Sequence, residues 1–306
     1  MPLVSIALST YNGERHLRDQ LDSVLAQAGV DFELVAVDDG SRDGTTAILN
    51  EYAARDGRLR WSRNPRNLGP TRSFERAIAL CTGEFIAPCD QDDVWLPHKL
   101  QRLVEAIGEA DLAYADSAYV NAEGRSCGRR ISDDTRMLEG CDPFAFLFAN
   151  SVSGHAALVR RDCALRAMPY PAAGYHDWWL ALSAAGGRGV RYVDEVLVQY
   201  RRHDGAYCGM GGVTTRRDDW LGIRRALVDA YARRGDRGRE AVAALSAALQ
   251  RAAAGDGTAP LARELWAHRT SWPRRSGLPG LDALALGLRL RRKLRRSVRD
   301  LARVPG

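Results

Sequence analysis

Residues 85–93 read Phe-Ile-Ala-Pro-Cys-Asp-Gln-Asp-Asp, a short apolar run that ends in three carboxylates. Such a run, bounded by polar turn residues, is typical of a strand that is buried on both faces. Carboxylates this close together are costly unless a cation or hydrogen-bond donors neutralise them. Asp90, Asp92 and Asp93 therefore predict a divalent-cation site or an acidic cap for the next helix. Their position directly after a buried strand favours the cation, with Mg²⁺ or Mn²⁺ as the suitable metals.

Two earlier apolar runs end in the same way. Residues 3–8 lead into Ser9-Thr10-Tyr11-Asn12-Gly13, and residues 32–37 lead into Asp38-Asp39-Gly40-Ser41. Apolar residues at helical spacing predict helices between the strands, over 14–28, 47–52 and 72–80. Strands that alternate with helices predict a doubly wound, mostly parallel sheet, whose ligands lie beyond the carboxyl ends of its strands. The sequence therefore predicts a polar ligand and a divalent cation at one edge of this sheet.

The pattern changes in the second half of the chain. Strands are predicted over 112–120, 155–159, 190–193 and 196–200, with a hairpin turn at 121–124 and a helix over 177–185. We expect this mixed half to complete a single catalytic domain, residues 1–217. Residues 218–306 are rich in alanine and arginine and predict a separate helical region.

Composition narrows the class of protein. With 45% hydrophobic and 27% charged residues in 306, the chain is typical of a globular protein. No apolar run approaches the roughly 20 residues of a membrane-spanning helix, and the N-terminus lacks the features of a signal peptide. The six cysteines contain no Cys-x-x-Cys pair, which argues against a zinc finger. We therefore expect a cytoplasmic protein.

The net charge of +6 is unevenly distributed. Residues 220–306 carry 19 basic against 7 acidic side chains, whereas residues 1–219 carry 25 against 31. Apolar and cationic positions alternate near the C-terminus at Leu284, Leu288, Arg291, Arg292, Leu294, Arg295 and Leu301. This pattern predicts either a helix that docks on the inner membrane surface or a solvated helix that packs on the catalytic body.

Three more segments have two interpretations each. Asn67-Leu68-Gly69 is either part of a binding site or only a turn. His176-Asp177-Trp178-Trp179 is, on spacing alone, better explained as a helix cap before buried aromatic residues than as a catalytic pair. Arg201-Arg202-His203-Asp204 is either a charged loop or a source of a histidine ligand.

Taken together and in this order, these segments resemble the family 2 glycosyltransferases, which have the GT-A fold. The resemblance runs from Val4 to about Asp204, roughly two thirds of the chain. Within the family, the form Asp90-Gln91-Asp92-Asp93-Val94-Trp95 is most similar to the bacterial rhamnosyltransferase branch. The resemblance implies a GT-A-like α/β fold, a Rossmann-type, mostly parallel sheet with a mixed second half, followed here by the helical basic C-terminal extension.

The resemblance also implies roles for individual residues. The base and ribose of a nucleotide-sugar would be bound and enclosed by Thr10, Tyr11, Glu14, Asp39, Asn67 and Arg72. Asp90 would contact the ribose or the sugar, while Asp92 or Asp93, together with His203, would bind the metal. Asp177 would be the catalytic base, although His176 departs from the glutamate that is commoner before it. We expect Trp178 and Trp179 to form an apolar platform for the acceptor.

We therefore expect an inverting, metal-dependent glycosyltransferase. Its donor would be dTDP-rhamnose or a UDP-sugar, and its acceptor a surface glycan or a lipid-linked glycan. A nucleotidyltransferase acting on sugar phosphates is disfavoured, because Ser9 to Glu14 offers one glycine and no lysine to grip phosphates. A non-catalytic nucleic-acid-binding protein is disfavoured because the basic tail has few aromatic residues and no DNA-reading motif. We expect no nucleic-acid partner.

Overall fold

The computed structural model describes residues 2–203, 220–234, 236–271 and 282–292. The chain divides into two compact units, Met1–Cys141 with Ser151–Thr214, and Asp142–Asn150 with Thr215–Gly306. The second unit thus takes in a short segment, 142–150, that the sequence analysis assigned to the catalytic domain. The domain boundary between residues 217 and 218 stays a prediction.

Within the described residues, the first unit is built on a nine-stranded sheet. Its strands are β1 (Leu3–Thr10), β2 (Asp31–Asp38), β3 (Leu59–Arg63), β4 (Phe85–Cys89), β5 (Val94–Trp95), β6 (Leu112–Val120), β7 (Ser126–Arg130), β8 (Ala157–Arg160) and β9 (Val190–Arg201). Their spatial order is β3-β2-β1-β4-β8-β6-β9-β5, and β7 pairs with β6.

Helices follow or separate these strands. Those of the first unit are α1 (Leu17–Leu25), α2 (Thr45–Arg55), α3 (Pro70–Leu80), α4 (Lys99–Ile107), α5 (Ile131–Asp134), α7 (Arg161–Arg166) and α8 (His176–Ala185). Those of the second unit are α6 (Pro143–Leu147), α9 (Trp220–Ala232), α10 (Arg239–Ala254), α11 (Ala259–Ala267) and a helix over 282–292. Among the described residues, no helix is both long enough and apolar enough to cross a membrane.

Strands β3, β2, β1 and β4 run parallel, which confirms the predicted first half of the sheet. Strand β1 lies between β2 and β4, with Thr10 paired to Asp38 and Leu8 paired to Cys89. The three polar segments that follow these strands therefore emerge side by side at one edge. Burial of β1 on both faces accounts for its continuous apolar sequence.

The second half of the sheet is mixed, as predicted, but differs in detail. Residues 154–156 form a 3₁₀ turn, so the strand predicted to start at residue 155 begins at Ala157. The two strands predicted over 190–193 and 196–200 are one strand, β9, whose pairing with β6 shifts between Val193 and Val196. An irregularity of this kind inserts unpaired residues without ending the strand.

The core of the first unit joins the parallel strands to the helices beside them. Leu17, Leu21 and Val24 of α1 are buried in it, which confirms the face predicted from their spacing. Leu100 and Leu103 of α4 belong to the same cluster. This packing holds the strands in register and so fixes the edge from which the polar segments emerge.

Gly83 tests the tight packing beside β1. A Cβ atom at this position would lie 2.6 Å from the Leu3 carbonyl oxygen and 2.8 Å from the Ser5 backbone nitrogen. Neither backbone atom can move without disturbing a central strand. We therefore expect Gly83→Ala to lower the free energy of unfolding by about 1–3 kcal/mol.

Gly57→Ala is the matched control, because a Cβ there would meet nothing within 4 Å. Urea unfolding of both variants measures the difference. Equal stability of the two variants would contradict the packing described for β1.

Candidate active site

The β1–α1 loop is fastened to the β2–α2 loop by five hydrogen bonds. Asn12 is central, with its backbone N–H donating to Ser41 Oγ and its Oδ1 accepting from the Arg42 N–H, both at 2.9 Å. Its φ of +47° is left-handed, a conformation that asparagine tolerates better than most residues. Glu14 accepts from the Gly44 N–H through Oε2 at 2.9 Å. This arrangement leaves the Tyr11 ring exposed at the sheet edge.

Asp38 and Asp39, at the end of β2, are both buried. Asp38 accepts from the backbone N–H groups of Gly40 and Ser41 and from Thr10 Oγ1, and it forms an ion pair with Arg63. These contacts satisfy the carboxylate inside the protein. Asp38 and the buried Thr10 therefore fix the ends of their two paired strands.

Asp39 closes the loop that precedes α3. Its Oδ1 accepts from the Leu68 N–H at 2.8 Å and from Asn64 Nδ2 at 2.7 Å, and its Oδ2 accepts from the Gly69 N–H at 2.9 Å. The exposed Asn67 lies in this loop, beside the same edge of the sheet. Arg72, in the first turn of α3, forms an ion pair with Glu75. The structure thus brings the predicted Asp39 and Asn67 together, and pairs Arg72 within its own helix.

The 90–93 segment leaves β4 beside the other flank of β1. Asp93 is fully buried, and its Oδ1 accepts from the Arg201 N–H at 3.0 Å. Its Oδ2 has no hydrogen-bond partner among the described residues, but lies 3.4 Å from His155 Nδ1. The same nitrogen is 3.6 Å from Asp90 Oδ2, and His155 Nε2 is 3.0 Å from Ser117 Oγ. Asp90, Asp93 and His155 therefore form an inner cluster.

Burial and mutual charge set the protonation of the inner cluster. Burial raises the pKa of Asp93 to about 7, against the effect of His155 and with help from the neighbouring carboxylates. Burial also works against ionisation of Asp90, yet its close contact with His155 keeps the pKa of Asp90 below its usual value. The pKa of His155 is raised, because Asp93 and Asp90 outweigh the cost of burying an imidazolium. The His155 ring thus lies between two acidic side chains that stabilise its protonated form.

The inner cluster also fits a divalent ion. One ligand atom from each of Asp90, Asp93 and His155 lies within 4.8 Å of the other two. The two carboxylates suit Mg²⁺ or Mn²⁺, and the His155 imidazole would complete the donor set only in its neutral form. The unpartnered Oδ2 of Asp93 is an additional acceptor that a cation would satisfy.

A second group, the outer pair, is formed by Asp92 of the same loop and His203. His203 Nε2 is 3.0 Å from Asp92 Oδ2, and the two side chains keep 11% and 17% of their exposure. The buried Arg201 guanidinium donates to the Asp92 carbonyl oxygen at 2.9 Å and so ties the end of β9 to the loop. The predicted metal ligands Asp92 and His203 are therefore neighbours, whereas Asp93 belongs to the inner cluster.

Asp177 lies at the start of α8, facing the 3₁₀ turn of residues 154–156. Its Oδ1 accepts from the Trp178 N–H at 2.6 Å and its Oδ2 from the Gly154 N–H at 3.3 Å. Burial raises its pKa, and the charge of Asp90 acts in the same direction, whereas His176 lowers it. The pKa of this carboxylate at the start of α8 is thus raised in part by the charge of Asp90 in the 90–93 loop.

The expected aromatic platform for an acceptor is wrong. Trp178 and Trp179 are 5% and 2% exposed, and Trp179 Nε1 donates to the Ala167 carbonyl oxygen at 2.7 Å. Helix α8 is buried on nearly all sides, so both indoles pack in the core and are not available to a ligand.

His155 is the site residue that the sequence did not reveal. It stood at the start of a predicted strand, and nothing in its local sequence separates it from a structural histidine. The 3₁₀ turn before β8 points its ring toward a loop more than sixty residues earlier in the chain. A single sequence offers no signal for such a contact.

Comparison with known proteins identifies the architecture. The family model for glycosyl transferase family 2 matches residues 5–165. The putative teichuronic acid biosynthesis glycosyltransferase TuaG of Bacillus subtilis is 33% identical over 118 residues, covering 39% of this chain and 47% of TuaG. Among eight curated relatives, the aligned region spans 34% to 71% of the relative's own length.

Two solved structures share the fold at low sequence identity. Residues 1–349 of S. aureus TarS, solved with UDP-GlcNAc, superpose with a TM-score of 0.63 and 18% identity, covering 98% of this chain and 92% of that one. The mannosyltransferase PcManGT of Pyrobaculum calidifontis, solved with GDP-Man and Mn²⁺, gives a TM-score of 0.55 and 19% identity, covering 97% and 83%. These similarities confirm the predicted GT-A-like fold.

Proposed function

Because the chain belongs to glycosyl transferase family 2, we propose that it transfers a sugar from a nucleoside-diphosphate sugar with the help of a divalent cation. The observation that carries the proposal is the convergence of three loops at one sheet edge. The loops after β1, β2 and β4 bring together an exposed tyrosine, a closed turn around Asp39 and the carboxylates of residues 90–93. A nucleoside suits the first two of these surfaces, and the cation that accompanies its diphosphate suits the third.

The nucleoside is assigned to the loops after β1 and β2. Tyr11 offers an exposed ring for the base, while Thr10, Glu14 and Asp39 hold the loops that flank it. Asn67 and Arg72 lie on the loop and helix that Asp39 closes. Asp90, partly accessible at the end of β4, is placed to accept hydrogen bonds from the ribose or the sugar.

The cation is assigned to the outer pair, Asp92 and His203. A cation that contacts a diphosphate must be reached from solvent, and both side chains of this pair are more accessible than those of Asp93 and His155. Asp93 is fully buried and already has His155 and the Arg201 N–H as partners. The inner cluster would then fix the shape of the loop. When bound, the cation supplies positive charge that stabilises the leaving diphosphate.

Asp177 is assigned as the base of an inverting transfer. In this reaction the acceptor oxygen forms a bond to the anomeric carbon, the bond from that carbon to the diphosphate oxygen breaks, and the acceptor proton passes to the base. A sugar hydroxyl is a weak acid, so a positioned carboxylate is required. The raised pKa of Asp177, caused mainly by burial, makes it a stronger base than an exposed carboxylate.

The sugar and the acceptor are assigned on similarity alone. TarS was solved with UDP-GlcNAc and PcManGT with GDP-Man, so the shared fold accepts more than one donor. The form of residues 90–95 favours rhamnose, carried by dTDP, over a UDP-sugar. The name of TuaG favours an acceptor that belongs to a cell-surface polymer, free or linked to a lipid.

The second unit is assigned to contact with an anionic lipid surface. An apolar groove of about 220 Å³ lies between α11 and the 282–292 helix, lined by Leu261, Leu265, Trp266, Leu284 and Leu288 among others. Trp266, Leu284 and Leu288 are each more than half exposed. Arg291 lines the groove, and the Arg269 guanidinium lies 5.1 Å from the centre of the Trp266 ring.

Exposed apolar side chains with a cationic border suit a membrane that has acidic headgroups. Leu294, Arg295 and Leu301, which belong to the predicted amphipathic pattern, lie outside the described residues. A lipid surface fits the excess of 19 basic over 7 acidic residues in 220–306.

The assignment of the cation predicts different effects for two neighbouring carboxylates. We expect Asp92→Asn to weaken Mn²⁺ binding by at least about tenfold, because it removes a ligand charge. Asp93→Asn should weaken it less, since an amide oxygen still accepts from the Arg201 N–H. Calorimetric titration of Mn²⁺ in the presence of UDP or dTDP measures both affinities. Loss of binding in Asp93→Asn alone would place the cation in the inner cluster.

The assignment of the base predicts a loss of chemistry without a loss of binding. We expect Asp177→Asn to cut transfer by about 10²- to 10⁴-fold while leaving UDP or dTDP affinity unchanged. Wild-type activity should fall as the pH falls through the raised pKa of Asp177, because the base must be ionised. The residual activity of the variant should lack this acidic limb.

The assay first screens Mn²⁺ with a panel of nucleotide-sugars for donor hydrolysis, and then uses the active donor. Asp162→Asn is the matched control, because Asp162 also accepts from the next backbone N–H at a helix start, at 2.8 Å. Asparagine caps helices as well as aspartate does. Normal transfer by Asp177→Asn would therefore show that Asp177 caps the helix and is not the base.

The assignment of the lipid surface predicts salt-sensitive binding to vesicles. We expect sedimentation with phosphatidylglycerol vesicles at low salt, and release at high salt or with phosphatidylcholine alone. Replacing Leu284 and Leu288 by Gln should lower partitioning by at least about tenfold, because both side chains lose apolar contact. Leu80→Gln, at an exposed leucine of the first unit, should have no effect. Equal recovery of the wild type in the supernatant under all conditions would reject the assignment.

A further inference from the structure

Gln91, between two site carboxylates, binds the backbone of the neighbouring loop. The Tyr11 N–H donates to Gln91 Oε1 at 2.8 Å, and Gln91 Nε2 donates to the Tyr11 carbonyl oxygen at 3.0 Å. The side-chain amide thus makes both hydrogen bonds that a paired backbone would make. Glutamate cannot donate to the carbonyl, and asparagine is one methylene shorter.

Gly13 provides the space for this amide. A Cβ atom on Gly13 would lie 2.3 Å from Gln91 Oε1 and 2.6 Å from Cδ. The φ angle of Gly13 is outside the left-handed region, so its backbone conformation does not itself require glycine. The structural reason for glycine here is therefore the room that Gln91 occupies.

The same loop is held on its opposite flank. Asn12 and Glu14 bind the loop after β2, as described above. The loop that carries Tyr11 is therefore bonded to two other loops. Asn12 and Glu14 join it to the loop after β2, and Gln91 joins it to the 90–93 loop. A change in the conformation of the 90–93 loop is therefore transmitted by the Gln91 hydrogen bonds to the Tyr11 backbone, which positions the Tyr11 ring.

We propose that Gln91 is a positioning residue that couples the binding of the cation to the binding of the nucleoside. The proposal rests on the proposed function, which assigns the nucleoside to the Tyr11 loop and the cation to the 90–93 loop. A cation that orders the second loop removes part of the entropy cost of ordering the first, so the nucleoside then binds more tightly. By linkage, the nucleoside raises the affinity for the cation by the same factor.

The coupling is measured with a nucleoside that carries no phosphate and so cannot contact the cation through one. The probe is uridine or thymidine, chosen as the nucleoside whose diphosphate the wild-type protein binds with Mn²⁺. We expect Mn²⁺ to tighten nucleoside binding to the wild type by about five- to tenfold. In Gln91→Met, which keeps the length of the side chain but loses both hydrogen bonds, the factor should fall below about twofold.

Hydrogen–deuterium exchange supplies a second readout that needs no nucleoside. The Tyr11 N–H should exchange several-fold faster in Gln91→Met than in the wild type, and Mn²⁺ should slow it only in the wild type. Gly13→Ala should have the same effect on Tyr11 exchange as Gln91→Met, because the added Cβ would displace the Gln91 amide. Gln101→Met is the matched control, because the Gln101 amide binds Glu105 on α4 at 2.9 Å, away from Tyr11.

The outcomes separate this proposal from the proposed function. If the wild type binds neither UDP nor dTDP with Mn²⁺, the proposed function fails. If it binds one of them but Gln91→Met shows the wild-type coupling factor, the coupling through Gln91 is wrong. The proposal is also wrong if Mn²⁺ changes neither the nucleoside affinity nor the Tyr11 N–H exchange rate of the wild type.

Discussion

The site depends on the parallel pairing of β1 with β2 on one side and with β4 on the other. Parallel neighbours end at the same edge, so the pairing of Thr10 with Asp38 and of Leu8 with Cys89 brings three polar loops together. The burial of Val4, Ile6 and Leu8 against α1 and α4 fixes that register. A slip of one residue would turn these side chains away from the core.

Charge compensation is the second constraint, because the edge concentrates buried carboxylates. Asp38 accepts from backbone N–H groups of its own loop, and Asp39 accepts from those of Leu68 and Gly69 in the loop before α3, so both carboxylates hold the local backbone. Asp93 accepts from the Arg201 N–H through Oδ1, and its Oδ2 lies 3.4 Å from His155 Nδ1 without a hydrogen bond among the described residues. The more accessible Asp92, with His203, retains capacity for a ligand. The proposed assignment of the cation to Asp92 and His203 follows from the complete burial of Asp93.

Periodicity predicted the elements that are long and regular. The strands that begin at Leu3, Asp31 and Phe85 and the helices between them follow from apolar spacing, and their alternation predicts the parallel half. The two-residue strand β5 is too short to show a period. The contact of His155 with the 90–93 loop joins segments that are distant in sequence, so only the folded chain reveals it. The tryptophans of α8 have the composition of a binding surface, but burial of the whole helix makes them part of the core.

The central claim is that the loops after β1, β2 and β4 form a single site for a metal-bound nucleoside diphosphate. The most direct measurement is a crystal structure with UDP or dTDP and Mn²⁺, in which anomalous scattering locates the metal. The account predicts a manganese peak beside Asp92 and His203, with the diphosphate on the metal and the base at Tyr11. A peak away from the 90–93 loop, or a nucleotide bound elsewhere on the protein, would contradict it.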